Sequence, residues 1–200
     1  MTPLEIVAVA TTLLCVWMVV KQNMWTWPLG LVAVTLYGIL FYREKLYADM
    51  GLQVVYFAFN LYGWYEWLWG GEGHTRLKVS HVPRGLFIFL LVLGAGFAWG
   101  LGTYLGNHTD AAAPYLDSTL TSYSLVAQFL MTRKWIENWH IWITVDIAYV
   151  YLFITRKLYL TAGLYFVFII LATMGLLEWK RSYEADHVVE APLPESVPQS

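Results

Sequence analysis

Seven apolar stretches alternate along the chain with short polar breaks that hold most of its charge. A bilayer core about 30 Å thick needs about 17–25 residues of helix. The stretches 4–20, 25–42, 51–69, 85–105, 116–132, 138–155 and 158–179 have that length. The breaks carry Lys21, Arg43 to Lys45, Arg76 to Arg84, Arg133-Lys134 and Arg156-Lys157, while 106–114 holds neither Lys nor Arg. This pattern predicts an all-α integral membrane protein with seven transmembrane helices. After Trp179 the chain turns rich in Glu, Pro and Ser, ending in Pro192, Pro194 and Pro198. The segment 181–200 is therefore expected to be a disordered tail.

The second half repeats the first, 112 positions later and without a gap. Trp27 falls on Trp139, Tyr37 on Tyr149 and Phe41 on Phe153; Lys45-Leu46-Tyr47 falls on Lys157-Leu158-Tyr159. Gly63 falls on Gly175, and Glu66-Trp67 on Glu178-Trp179. A repeat of this kind fixes architecture before any local reading. The expected organisation is a three-helix repeat at 1–70, a loop and linker helix at 71–110, and a second three-helix repeat at 111–180. Two three-helix units joined directly would be inverted in the membrane; the extra helix makes them parallel. An apolar repeat with polar residues inside it points to a transporter whose site lies between the repeats.

Composition narrows this further. Only 13% of residues are charged, about half the share in a soluble domain. Eleven Trp and fourteen Tyr fit rings that gather at bilayer interfaces. A net charge of −2 argues against nucleic acid as a partner. The single cysteine, Cys15, excludes a disulfide framework and a multi-cysteine metal site. The first stretch lacks a basic leader and a small-residue cleavage site, so it is expected to be retained. Eight basic residues (Lys21, Arg76, Lys78, Arg84, Arg133, Lys134, Lys180, Arg181) fall on one side and four on the other. The richer side is predicted to be cytoplasmic, with the N-terminus outside and the C-terminus inside. No phosphate-binding loop, HExxH pair or GxSxG elbow occurs, and the five His lack metal-ligand spacing. Neither enzymatic activity nor a cofactor or metal is expected. Gly70-Gly71-Glu72-Gly73 reads as a flexible loop.

Candidate chemistry sits on three stripes. Asp146 lies midway along the sixth stretch, where a carboxylate costs at least about 2.5–3.5 kcal/mol to insert. Its repeat mate is Val34, so the architecture itself does not need the charge. Trp139, Trp142 and Tyr149 share its helix face. An acid lined with rings suits an organic cation or a flat heterocycle; the alternative is a structural acid bonded between helices. The third stretch carries Gln53, Tyr56, Asn60 and Trp64 along one face, with apolar or aromatic mates Tyr165, Phe168, Ala172 and Leu176. Its amides suit a carboxamide or sugar hydroxyls, or else interhelical packing. The fifth stretch carries Asp117, Thr121, Ser124 and Gln128 on one face; for Thr121 and Ser124 close helix packing is the competing role. Asp117 suits a helix start. Arg133, Glu137 and His140 lie near helix ends and read as interface or gating groups.

The stretch NMWTWPLGLVAVTLYGILFYREKLYADMGLQVVYFAFNLYGWYEW (residues 23–67) and DSTLTSYSLVAQFLMTRKWIENWHIWITVD (117–146) closely resemble the PnuC family of bacterial nicotinamide riboside transporters. The shared pieces are LYAD-xx-LQ-xx-YF-xxx-N-x-YGW, then DS and MTRK-xx-EN-W-xx-W, and the resemblance runs from about residue 11 to 179. It implies two parallel three-helix bundles around a linker helix, similar to SWEET proteins. It also implies a homotrimer in the inner membrane, with one path per protomer, working by facilitated diffusion. By motif, Gln53, Asn60 and Trp64 fall on one family pattern, and Asn138, Trp139 and Trp142 on another. At position 146 this chain has Asp where some relatives have Asn. Related branches carry thiamine, riboflavin or deoxynucleosides.

These lines converge on uptake of nicotinamide riboside, an NAD precursor. Its pyridinium would stack on Trp or Tyr, its carboxamide would meet Gln53 or Asn60, and Asp146 would neutralise charge or hold ribose hydroxyls. Thiamine, which also has a positively charged ring nitrogen, is the alternative within this class. An intramembrane enzyme or a scaffold is the alternative outside it.

Overall fold

The computed structural model describes residues 3–43, 47–109 and 113–190. Lys45 and Leu46 of the repeat, the domain boundary at 110–111 and the tail from 191 lie outside the described residues. The described chain folds into α1 (Pro3–Val20), α2 (Thr26–Arg43), α3 (Tyr47–Trp69), α4 (Arg84–His108), α5 (Pro114–Thr132), α6 (Glu137–Thr155) and α7 (Tyr159–Glu190). No strand occurs among the described residues; one isolated bridge joins Ser80 to Trp135.

Local chemistry sets the ends. Pro114 opens α5, where its missing N–H is not needed. Helices α1, α5 and α6 close on left-handed residues: Gln22 at φ 52°, Lys134 at 51° and Lys157 at 59°. Each is followed by a long backward bond from the next N–H, as in Asn23 to the Met18 carbonyl at 2.8 Å and Trp135 to Leu130 at 3.1 Å. This is the Schellman closure, which satisfies orphan carbonyls without a glycine here. The loop 70–73 is an ordered turn: Gly70 N–H bonds the Glu66 carbonyl at 2.7 Å, and Gly71 N–H bonds Thr75 at 3.0 Å.

Six helices form a closed ring in the order α1, α2, α3, α5, α6, α7, each packed on the next and α7 back on α1. α4 stands outside the ring against α5. Its buried face is Gly94, Ala98 and Gly102, small enough for the Ser122 hydroxyl to donate to the Gly94 carbonyl at 2.7 Å. The opposite face exposes Phe89, Val92, Phe97 and Trp99, an apolar surface suited to lipid. α4 and the 159–187 part of α7 are apolar enough by length and composition to cross a bilayer.

One expectation is corrected. Residues 181–190 are not a disordered tail: α7 runs 11 residues past Trp179, to Glu190. Nothing between Lys180 and Glu190 breaks a helix, and the first proline comes at 192. Tyr183 packs edge-on against His81 with ring centroids 4.7 Å apart, which gives the extension a partner.

Contacts recur across the 112-residue offset. Trp27 meets Trp67 at 5.2 Å and 87°; Trp139 meets Trp179 at 5.3 Å and 85°. The six-membered part of each first indole lies over a glycine, Gly63 under Trp27 and Gly175 under Trp139. Both rings are fully buried, so they have no room to retreat. Gly63→Ala and Gly175→Ala are each expected to cost about 1–3 kcal/mol through overpacking. That should lower the melting temperature in detergent by about 2–4 °C per kcal/mol. Unchanged melting of either variant would remove the argument.

Candidate functional site

The ring lines a cavity of about 490 Å³, within the range of roughly 300–1,000 Å³ typical of small-ligand sites. Its wall draws on both halves at matching positions: Thr12 and Ser124, Trp27 and Trp139, Tyr37 and Tyr149, Leu52 and Leu164. The cavity therefore lies between the two halves of the ring.

Eight of the eleven residues singled out in the sequence line it: Gln53, Tyr56, Asn60, Ser124, Trp139, Trp142, Asp146 and Tyr149. Asp146 is buried at 5% exposure. Among the described residues, no hydrogen-bond or ion-pair partner reaches its carboxylate, so the reading of Asp146 as an acid bonded between helices has no contact behind it. Trp142 stands one turn before it and Tyr149 almost one turn after. The Tyr149 ring packs on Tyr165 with centroids 4.6 Å apart. An unpaired buried carboxylate among aromatic faces is an environment that favours an organic cation.

The amides stand on α3, on the same cavity wall. Asn60 is buried, and its Nδ2 donates to the Tyr56 carbonyl of its own helix at 2.8 Å. Gln53 is half-buried and has no hydrogen-bond partner among the described residues. Neither amide bonds a neighbouring helix, which is what a packing role would require. The Tyr56 hydroxyl lies beside Ser124 of α5.

Three residues lie off the cavity. Trp64 packs against the buried indole cluster. Thr121, on α5, is half-buried and does not line the wall. Asn138 is fully buried; its Nδ2 donates to the Trp135 carbonyl at 2.7 Å, fastening the start of α6. Its side-chain oxygen finds no partner among the described residues.

Gln128 lines the wall too, and so do residues not selected from sequence, among them Trp27, Tyr37, Tyr165 and Phe168. The repeat held the signal: Trp27, Tyr37, Tyr165 and Phe168 are the 112-offset mates of Trp139, Tyr149, Gln53 and Tyr56. Gln128 stood on the fifth-stretch face beside Ser124. Trp27 and Trp139 also share a buried indole N–H without a partner among the described residues.

Contacts are also exchanged between the halves. The Trp67 indole N–H donates to the Met131 carbonyl at 3.2 Å, and Trp179 donates to Val19 at 3.1 Å. Met131 is the mate of Val19, so each half grips the other in the same way, as across a two-fold axis. The ion pairs follow suit. Arg133 meets Glu66 at 2.8 Å, and Lys21 meets Glu178 at 3.1 Å. The mates Gln22 and Lys134 touch each other at 3.2 Å. Burial pushes the Lys134 ammonium down to about 8, helped by Arg76 and opposed by Asp186; the Trp67 ring 4.4 Å away favours its charged form. Arg133, on the second half, thus ties to Glu66 of the first. Glu137 instead holds the loop before α4, accepting from Val82 N–H at 3.0 Å and lying 2.7 Å from His81 Nδ1. His140 is exposed.

A family model described as nicotinamide mononucleotide transporter matches residues 2–181. The chain is 29% identical over 204 residues to nicotinamide riboside transporter PnuC of Escherichia coli strain K12, covering 90% of this chain and 85% of that one. It is 27% identical over 166 residues to riboflavin/roseoflavin transporter RibM of Streptomyces davaonensis, covering 80% and 76%. Among solved structures it is similar to the crystal structure of the vitamin B3 transporter PnuC. That match has a TM-score of 0.71 and 25% identity, and it covers 91% of this chain and 82% of that one. Six ringed helices, a cavity lined by an unpaired acid and a match over nearly the whole length agree: the chain belongs to the nicotinamide mononucleotide transporter family.

Proposed function

We propose that this protein carries nicotinamide riboside across the bacterial inner membrane by facilitated diffusion. The observation that carries this reading is Asp146, a buried carboxylate without a partner among the described residues, set among Trp142, Tyr149 and Tyr165 in the cavity. A pyridinium ring supplies both the positive charge the acid lacks and the flat face the rings favour. Hydroxyls of the ribose, or the carboxamide, meet Asn60 and Gln53 in the cavity. Thiamine shares the cationic ring and is the second reading. The riboflavin ring system is uncharged and would leave Asp146 buried and unmatched.

In this reading the chain forms two parallel three-helix repeats, with the N-terminus outside, the C-terminus inside and α4 joining them. Three copies assemble, each with its own path. The exchanged indoles and ion pairs close the path on the cytoplasmic side and separate to release the ligand. Phosphorylation of the nucleoside in the cytosol keeps it from returning.

The test is titration calorimetry on the purified protein with nicotinamide riboside, nicotinamide mononucleotide, thiamine, riboflavin and uridine. Nicotinamide riboside should bind, and the mononucleotide should bind at least tenfold more weakly. Its phosphate would bring a second negative charge into a site that already holds Asp146. Equal affinity for the two would sink the charge argument, and preference for thiamine would establish the second reading.

A further inference from the structure

The two halves of the cavity wall differ at mated positions, and one difference is an exchange of size. On α2 and α3 the pair is Gly30 and Asn60; at the mated positions on α6 and α7 it is Trp142 and Ala172. All four line the cavity. In the first half the bulk stands on the second helix of the pair, and in the second half on the first.

The contact at Gly30 explains why it has no side chain. An ideal Cβ there would overlap Asn60 Oδ1 and stand 3.1 Å from Asn60 Cγ. Asn60 cannot simply swing aside, because it is 8% exposed and its Nδ2 is tied to the Tyr56 carbonyl. That bond fixes the amide plane and turns Oδ1 toward Gly30, where it remains a free acceptor at the wall. In the other half Ala172 is buried in the cluster against which Trp142 packs. An amide at 172 would compete with the indole for that space.

We propose that Gly30 is a specificity-determining residue. By keeping a Cβ off this point of α2, it sets the Asn60 amide as a hydrogen-bond acceptor. With the reversed pair Trp142–Ala172 in the other half, it makes the cavity take its ligand one way round. The ribose end, with its O–H donors, lies against Asn60, and the flat cationic end lies against Trp142 and Asp146. Gly30 itself is a positioning residue that acts through Asn60. The proposal rests on the reading of the cavity as a substrate site. A site whose halves were alike would accept either orientation; these halves offer an acceptor in one place and an indole face in the other.

The experiment is a double-mutant cycle on the full chain in detergent: wild type, Gly30→Ala, Asn60→Ala and the double variant. Each is titrated with nicotinamide riboside and with uridine, and each is melted. Gly30→Ala should weaken nicotinamide riboside binding about tenfold, the scale of one lost hydrogen bond. It should match Asn60→Ala, and the double variant should bind no worse than either, since both act on one amide. Wild-type affinity in Gly30→Ala overturns the proposal, as do losses that multiply in the double variant. A merely structural glycine would lower the melting temperature on both backgrounds and leave affinity unmoved. Should Gly30→Ala fail to assemble, the double variant, which lacks the overlap, should assemble and bind like Asn60→Ala; failure there overturns the idea. If wild type binds uridine and not nicotinamide riboside, the ligand assignment falls, and the cycle is read with uridine, whose hydroxyls make the same demand on Asn60. Binding of neither overturns both.

Discussion

Gln53→Leu combined with Asn60→Leu is expected to weaken nicotinamide riboside binding by about thirtyfold or more, with the protein still inserted and assembled. Leucine keeps the helix and roughly the volume of each amide. What it removes is the partner for polar atoms of the ligand, at about 1–3 kcal/mol for each one left unpaired. Two such losses amount to about 2–6 kcal/mol, and each 1.4 kcal/mol is a factor of ten. The fold should tolerate the change, because neither amide holds two helices together: Asn60 bonds its own helix, and Gln53 bonds nothing among the described residues. Calorimetry on the double variant, beside its yield and elution volume, measures both halves of the claim. Normal binding would return the α3 amides to a packing role and remove half of the proposed site.

The ring of helices was legible because two signals agree. Apolar length gives the spans, and the 112-residue offset says which spans are equivalent. Most of the site was legible for a related reason. A polar residue inside a bilayer needs a reason to be there, and Asp146, Gln53 and Asn60 also break the repeat. What the sequence could not rank was position around each helix. Trp64 and Thr121 share faces with Asn60 and Ser124, yet both fall off the wall, since a stripe drawn at i, i+3 and i+4 is wider than the strip that faces the cavity. Asn138 came in with the motif EN-W-xx-W, although its amide bonds at the start of α6. The misses share another cause. Trp27, Tyr37 and Tyr165 look like ordinary membrane aromatics alone. They become cavity residues once a wall between two halves is known to be built from mates. The extension of α7 was misread because a polar composition was taken for disorder, although residues 180–190 contain no helix breaker and Tyr183 has His81 to pack on.

Asp146→Asn separates two ways in which the acid could serve the ligand. Asparagine keeps the shape and the capacity to hydrogen-bond, and removes only the charge. If the carboxylate faces the pyridinium, affinity for nicotinamide riboside should fall about 5- to 150-fold, equivalent to about 1–3 kcal/mol. If it only holds ribose hydroxyls, the amide should replace it with little loss. Acid pH offers a second, independent reading. Lowering the pH until the carboxylate takes up a proton should weaken binding to the wild-type protein. The ligand's own charge is permanent and does not follow the proton. The Asn variant has nothing to titrate at this position, so its affinity should stay level over the same range. A neutral nucleoside such as uridine should show the opposite preference, since it gains nothing from the charge and is spared the cost of burying it unpaired. Wild-type affinity in Asp146→Asn, with the same pH profile, would reject Asp146 as the counter-ion and leave recognition to stacking and the amides of α3.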